Sequence, residues 1–315
     1  MTSILEQQAK PSKFTFRKFV RMSRLKFIPY SLILHLFGVA YVILEKFPVK
    51  LHIVILAQLY IWTLHLLAQI CNEYFDIEAD RLNSTPTAWT GGSRLFIEGA
   101  LDPAVAKYSY LALIGLALTQ IMIVPILVPD FRAVLPFSII GLLLAWQYSS
   151  PPVEFTHRGL GEFIVATIFS TLPIYGVIVQ SAIVTKELLS ICAVLWVTTY
   201  SRMMVMNMPD RVGDALAGKR TLVVRLGIER AIYLYVFLQF VAYGVLLYLF
   251  RDTIRLSFIV ALLAVAPIGW WQGWRLLRGD WKDPSKLADA PKFCSLHVAA
   301  TATALLIVAL GQIAI

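Results

Sequence analysis

The chain has 315 residues, a net charge of +9, 58% hydrophobic and only 15% charged residues, and a mean hydropathy of +0.72. An average soluble domain carries about 25% charged residues. This composition therefore excludes a disordered chain and argues against a soluble globular enzyme, and an all-α polytopic membrane protein remains.

Residues 1–26 are basic, with Glu6 the lone acid, and read as a cytosolic segment lying against anionic lipid. The apolar run that follows is too long for a signal peptide and lacks a small-residue cleavage site. From residue 27 to 315 the chain reads as one transmembrane domain. Nine apolar stretches succeed one another, at roughly 27–44, 51–71, 108–128, 133–148, 163–185, 188–208, 231–250, 256–274 and 293–315. Most are free of charge and approach the ~20 residues that carry a helix across ~30 Å of hydrocarbon. The fourth is short. The sixth carries Arg202 near its end, where a long side chain can snorkel to the interface. With the N-terminus inside, 22 of the 28 Lys and Arg fall on inner segments and six on outer ones. That asymmetry predicts N-in, C-out. It also accounts for the net charge without a nucleic-acid partner. Cys71, Cys192 and Cys294 are scattered in or beside apolar stretches and suggest neither disulfides nor a zinc site.

Two inner loops, about 72–107 and 207–230, are long and polar. The first opens CNEYFDIEADRLN, with Asn72, Asp76 and Asp80 at i, i+4 and i+8. On a helix continuing from the second span they share one face, where the two acids repel and require a cation. The second reads MNMPDRVGDALAGKRTLVVRLG. It repeats the spacing in Asp210 and Asp214, with Asn207 one turn earlier. Asp210 follows Asp76, and Asp214 follows Asp80, by the same 134 residues. The recurrence four spans apart predicts a duplicated four-helix unit with a ninth helix appended.

Either motif alone could be a solvated helix end. Two in register on one membrane side suit Mg²⁺, which takes one or two carboxylates and fills its remaining positions with water and phosphate oxygens. Lys219, Arg220 and Arg225 stand close by to neutralise phosphate directly. The run from Gly213 to Lys219 imitates a phosphate-binding P-loop. Arg220 stands where Ser or Thr belongs, however, and an apolar helix precedes the run rather than a strand. A secondary transporter is the rival reading, but its charges would lie near the bilayer midplane rather than at one face.

NEYFDIEADRLN and PDRVGDALAGKRTLVVRLG resemble the two aspartate-rich motifs, N-x-x-x-D-x-x-x-D and D-x-x-x-D, of the UbiA superfamily of intramembrane prenyltransferases. The segment YSSPPVEFTHRGLGEF at 148–163 is similar to the family's loop between helices four and five. The resemblance implies Mg²⁺-dependent transfer of a prenyl group from an isoprenyl diphosphate to an acceptor, often an aromatic quinone precursor. Relatives with a non-aromatic acceptor, or with cyclase activity and no acceptor, are the alternatives. Carried over by position, Asp76, Asp80, Asp210 and Asp214 would hold the metal, and Asn72 and Lys219 the diphosphate. Arg24 matches a basic position at the start of the first span, with Lys26 as a rival. Glu73 stands where the family usually has Asp. The four aspartates, Asn72 and Lys219 form the expected catalytic set. Arg24, Lys26, Glu73, Arg94, Tyr148, Asn207 and Arg220 are the expected substrate contacts. TGGSRLFIEG at 90–99 looks closer to the menaquinone-type branch, and its GGSR turn, with Arg94, is expected to form a lid over the inner mouth. Tyr74, Trp146, Tyr148 and Tyr200 are candidates to face an allylic cation.

Overall fold

A computed structural model describes residues 15–128 and 130–314. The described residues hold a helical bundle with no strand. A short amphipathic helix, α1 (Phe16–Met22), is capped by the Thr15 side chain, which accepts from Lys18 N–H. Met22 at its end is fully buried against Ile70 and Leu95. The expected basic segment is thus anchored from residue 16 onward, and its first 14 residues lie outside the described ones.

The long helices are α2 (Ile28–Leu44), α3 (Leu51–Phe75), α5 (Pro103–Leu127), α6 (Phe131–Gln147), α7 (Gly161–Ile178) and α8 (Lys186–Asn207). They continue with α11 (Ile228–Phe240), α13 (Leu256–Leu277) and α14 (Pro284–Ile313). A π-helical segment, Val241–Leu246, joins α11 to α12 (Leu247–Leu249), so that Ile228–Leu249 forms one continuous span. Eight spans are long and apolar enough to cross a membrane. The expected ninth, α6, reaches only 17 residues and belongs to a shorter class.

Two boundaries differ from the hydropathy reading for local reasons. Helix α14 starts at Pro284 rather than near residue 293 because Asp283 caps it, accepting from Ser285 N–H at 3.0 Å, with proline at the first helical position. Helix α5 starts at Pro103 behind Asp102, which accepts from Ala104 N–H at 2.7 Å. Polar capping turns thus extend helices that hydropathy alone truncates.

The centre of the bundle is α2, α7, α8 and α14, with α3 packed on α5 and α6. Close approach of α2 to α7 depends on Gly38: a Cβ there would stand 2.2 Å from the Pro173 carbonyl oxygen. Helices α5 and α6 turn leucine and isoleucine outward, as at Leu111, Leu118, Met122, Ile139 and Ile140. Near the end of α13, Trp270, Trp271 and Trp274 are exposed and stack with Arg275 and Arg278, as interfacial residues do. At the end of the bundle away from the motifs, Glu187 accepts from the Tyr41 hydroxyl at 2.8 Å and pairs with Arg255, locking three helix ends.

Candidate active site at the mouth of the bundle

Neither aspartate motif sits on an uninterrupted helix. Helix α3 stops at Phe75, and Asp76 forms the hinge to α4 (Ile77–Leu82). Helix α8 stops at Asn207, and Asp210 opens α9 (Arg211–Leu216). Helices α4 and α9 begin and end 134 residues apart, like the aspartates, and pack against each other. The i, i+4 register survives the break, because Asp80 N–H donates to the Asp76 carbonyl at 2.8 Å and Asp214 N–H to that of Asp210 at 2.9 Å. The expectation of one continuous helix is therefore corrected to a helix and a hinged turn in each half.

The turns line one polar cavity of about 120 Å³, walled by Asn72, Asp76, Asp80, Asp210, Asp214 and Lys219 together with Arg24, Tyr148 and Asn207. Lys219, delivered by the turn before α10 (Leu222–Leu226), sits between the halves. Its ammonium is 2.7 Å from Asp76 Oδ2 and 3.5 Å from Asp214 Oδ1. These carboxylates hold it charged, overcoming burial and raising its pKa. Asn72 donates to Asp76 and to Ser149 Oγ. Asn83 Nδ2 donates to Asp210 Oδ1 at 2.7 Å, and Gly91 N–H to Asp210 Oδ2 at 3.1 Å. Burial raises the acids of this cavity: Asp80 to about 7, Asp214 to about 6, and Asp210 upward as well. The neighbouring acids add to it, while Arg24 and Lys219 oppose it.

Several expected contacts lie elsewhere. Glu73 is buried behind the cavity, accepting from Arg24 Nη2 at 2.7 Å and from Ser93 N–H at 2.9 Å. Arg24, the alternative to Lys26, lines the cavity. Its backbone is left-handed at φ 42°, a strained conformation that aims the guanidinium inward. Lys26 donates instead to the Ala88 carbonyl and stacks on Trp89. Arg94 does not line the cavity; it donates to the carbonyls of Asp80 and Asn83 and braces its own loop. Arg220 is exposed, held through its backbone by His157 and Arg225. Asn207 donates to Glu162 Oε1 at 2.8 Å, which also accepts from Leu222 N–H and ties α7, α8 and α10 together.

The GGSR turn lies over the mouth. Gly91 and Gly92 have φ of 80° and 72°, and a Cβ on Gly92 would stand 2.0 Å from Asp80 Oδ2, so only glycine lets the loop descend so far. Sequence reading missed Thr90, Trp89, Asn83, Glu162 and Thr221. Asn83 and Glu162 offered a signal, each being polar and next to a motif; Trp89 and Thr90 offered none.

A second cavity, of about 360 Å³, opens from the first. The two share Arg24, Asn72, Trp89, Tyr148, Met203 and Met206. It is largely apolar and runs between α2, α3, α6, α7 and α8. At Tyr60 and Tyr175 a hydrogen-bonded pair meets it: Tyr60 donates to the Ser138 carbonyl at 2.6 Å, and Ser138 Oγ lies 3.1 Å from the Tyr175 hydroxyl.

Among the described residues, no three Asp, Glu, His or Cys side chains converge on one point to hold an ion unaided. The site nevertheless fits Mg²⁺ shared with a phosphate. Asp76 Oδ1 is buried without a partner, and the Asp80 carboxylate accepts no hydrogen bond among the described residues.

The chain resembles digeranylgeranylglyceryl phosphate synthase of Thermococcus gammatolerans, at 30% identity over 166 residues, which are 53% of this chain and 54% of that protein. The Halobacterium salinarum synthase is 26% identical over 208 residues, covering 64% and 62%. The chain thus spans about half the length of the first of these curated relatives and somewhat more of the second. Its fold matches a UbiA homolog from Archaeoglobus fulgidus bound to DMAPP and Mg²⁺, with a TM-score of 0.62 and 16% identity over 92% of this chain and 99% of that one. It also matches the apo structure of a UbiA homolog from Aeropyrum pernix K1, with a TM-score of 0.63 and 16% identity over 86% and 97%. The sequence pattern of the UbiA prenyltransferase family matches residues 31–297, and the chain belongs to that family.

Proposed function

We propose that the protein transfers a prenyl group from an isoprenyl diphosphate, held with Mg²⁺ at the polar mouth, to an acceptor within the membrane, and that the mouth faces the cytoplasm. One observation carries the reading: a polar cavity built from both aspartate motifs opens directly into an apolar one, matching a charged head on a hydrocarbon tail. Asp76, Asp80, Asp210 and Asp214 would hold the metal. Mg²⁺, when bound, neutralises the diphosphate and makes it a better leaving group.

The residues of the chain do the remainder. Lys219 and Arg24 donate to diphosphate oxygens, and Asn72 orients them. As the allylic carbon–oxygen bond breaks, its electron pair leaves with the diphosphate. The faces of Trp89 and Tyr148, which line both cavities, lie where a developing cation is stabilised. The apolar wall keeps water from quenching that cation. The acceptor's electron pair then forms the new bond and its proton departs. Glu73, held by Arg24 and Ser93 behind the cavity, is withdrawn from that role.

The aromatic, quinone-precursor acceptor and the link to menaquinone synthesis find no support among the relatives. Their names point to a glyceryl phosphate, and we take such a hydroxyl as the first acceptor to test. Purified protein, incubated with Mg²⁺, prenyl diphosphates of increasing length, and sets of prenylglyceryl phosphates and aromatic acids, should yield a prenylated product by mass spectrometry. Absence of any product across the full set overturns the reading, and accumulation of an unchanged solute in proteoliposomes would replace it with transport.

A further inference from the structure

Arg202 is the anomaly of the bundle interior. It lies in the span α8, two helical turns before Asp210, and is only 7% exposed. Instead of snorkelling to the polar mouth, it lines the apolar cavity and is absent from the walls of the polar one. Its guanidinium forms no ion pair and donates no hydrogen bond among the described residues. Its Nε is buried without a partner, and its one stacking contact is the Tyr30 ring, 5.7 Å away. Every motif aspartate belongs to the other cavity. A cation kept inside a membrane span without a counter-charge is costly, and such residues mark a binding site or transport path.

We propose that Arg202 binds the anionic group of the acceptor: a phosphate or carboxylate enters the apolar cavity, pairs with this guanidinium, and thereby holds the acceptor's nucleophile against the prenyl carbon near the mouth. The inference rests on the transferase reading above. Eight residues of helix place Arg202 about 12 Å along the axis from Asp210, room for a small acceptor between the diphosphate and the guanidinium. An arginine presents two parallel N–H groups to either anion. A glyceryl phosphate and an aromatic acid share this chemistry, so the test separates them.

Binding is measured without turnover, on the purified full-length protein with Mg²⁺ and a non-reactive prenyl diphosphate analogue. Two probe pairs are used, a prenylglyceryl phosphate with its dephosphorylated alcohol and 4-hydroxybenzoate with its methyl ester. The wild type should bind one anionic probe at least tenfold tighter than its neutral partner, and that pair names the source. R202Q should erase the preference by weakening the anionic probe at least tenfold, while affinity for the diphosphate analogue stays within twofold. R202K, retaining the charge, should recover part of the preference. R202Q removes an unpaired charge and so should unfold no earlier than the wild type, and R202M repeats the measurement with a different shape.

Unchanged binding of the anionic probe by R202Q and R202M overturns the proposal. So does an equal loss of the diphosphate analogue, or a wild type indifferent within both pairs. If the wild type shows the preference but makes no product with any donor, the transferase reading fails separately.

Discussion

Replacing Lys219 by methionine removes the one cation that joins the two halves of the mouth. Its ammonium is 8% exposed and lies 2.7 Å from Asp76 Oδ2 and 3.5 Å from Asp214 Oδ1. Removing one partner of a buried ion pair ordinarily costs ~3–5 kcal/mol, because the other charge is left unpaired. Here burial already pushes Asp214 up to about 6 and Asp80 up to about 7, so proton uptake relieves part of the strain and the lower end applies. A loss of ~3 kcal/mol corresponds to a fall of roughly 6–12 °C in Tm, at roughly 2–4 °C per kcal/mol for a large domain. That loss should appear in EDTA and shrink by more than half in millimolar Mg²⁺, because the metal supplies the missing positive charge. The wild type should gain less from Mg²⁺, having Lys219 in place. Transfer should still fall by roughly tenfold to a hundredfold, the worth of one charge-assisted hydrogen bond to the diphosphate. Thermal unfolding of the detergent-solubilised variant with and without Mg²⁺ measures the first effect. A variant that unfolds with the wild type in EDTA, or whose loss Mg²⁺ leaves untouched, refutes the placement of the metal beside Lys219.

Asp76→Ala and Asp210→Ala should each abolish Mg²⁺-dependent transfer while the protein still inserts; full activity of both purified variants ends the metal assignment. Protons should compete with the metal, since burial raises Asp80 to about 7 and Asp214 to about 6. Mg²⁺ affinity should therefore climb as pH rises from 5.5 to 7.5, and a titration flat across that range contradicts it. The same shifts give the metal-free protein the opposite slope: acids whose folded pKa exceeds the unfolded value near 4 favour the fold at low pH, and this contribution is lost as pH rises through 6 to 7. Gly92→Ala should cost about 1 kcal/mol for the left-handed backbone and displace the Asp80 carboxylate, raising the Mg²⁺ concentration needed for half-maximal activity several-fold. Wild-type Mg²⁺ dependence in that variant would show that the turn does not press on the site.

The spans and the 134-residue recurrence were legible because hydrophobicity and charge spacing are local properties. A helix writes its length in apolar residues, and a repeated Asp pair is visible without any partner. The polar starts of α5 and α14 were not legible from hydropathy, because a capped first turn such as Asp283–Pro284 is hydrophilic yet helical. The roles of Arg24 and Lys26 could not be separated by residue type, both being basic and two positions apart. They part only because a left-handed turn at Arg24 points its side chain inward, and nothing in the neighbouring residues announces that turn. Arg94 and Arg220 show the same limit: a cation near a motif counts as a ligand on paper, whereas here one braces backbone carbonyls and the other faces outward. Arg202 shows the reverse. Sequence reading sends it toward the interface, but only packing reveals that it faces a cavity with nothing opposite it.

The duplication does more than supply a second set of acids. Each motif is completed by groups from the other half: Asp210 is held by Asn83 and Gly91, which follow the first motif, and Asp76 by Lys219, which follows the second. Neither half alone can satisfy its own carboxylates. A buried carboxylate left without a partner takes up a proton and ceases to be a metal ligand. Metal-binding capacity is therefore a property of the closed pair, and it is lost whenever the halves separate at α4 and α9. This also explains why the turn at Gly91 and Gly92 is built so tightly. The backbone N–H that reaches Asp210 belongs to the same loop that presses on Asp80, so one short segment sets the spacing of both acidic rungs at once.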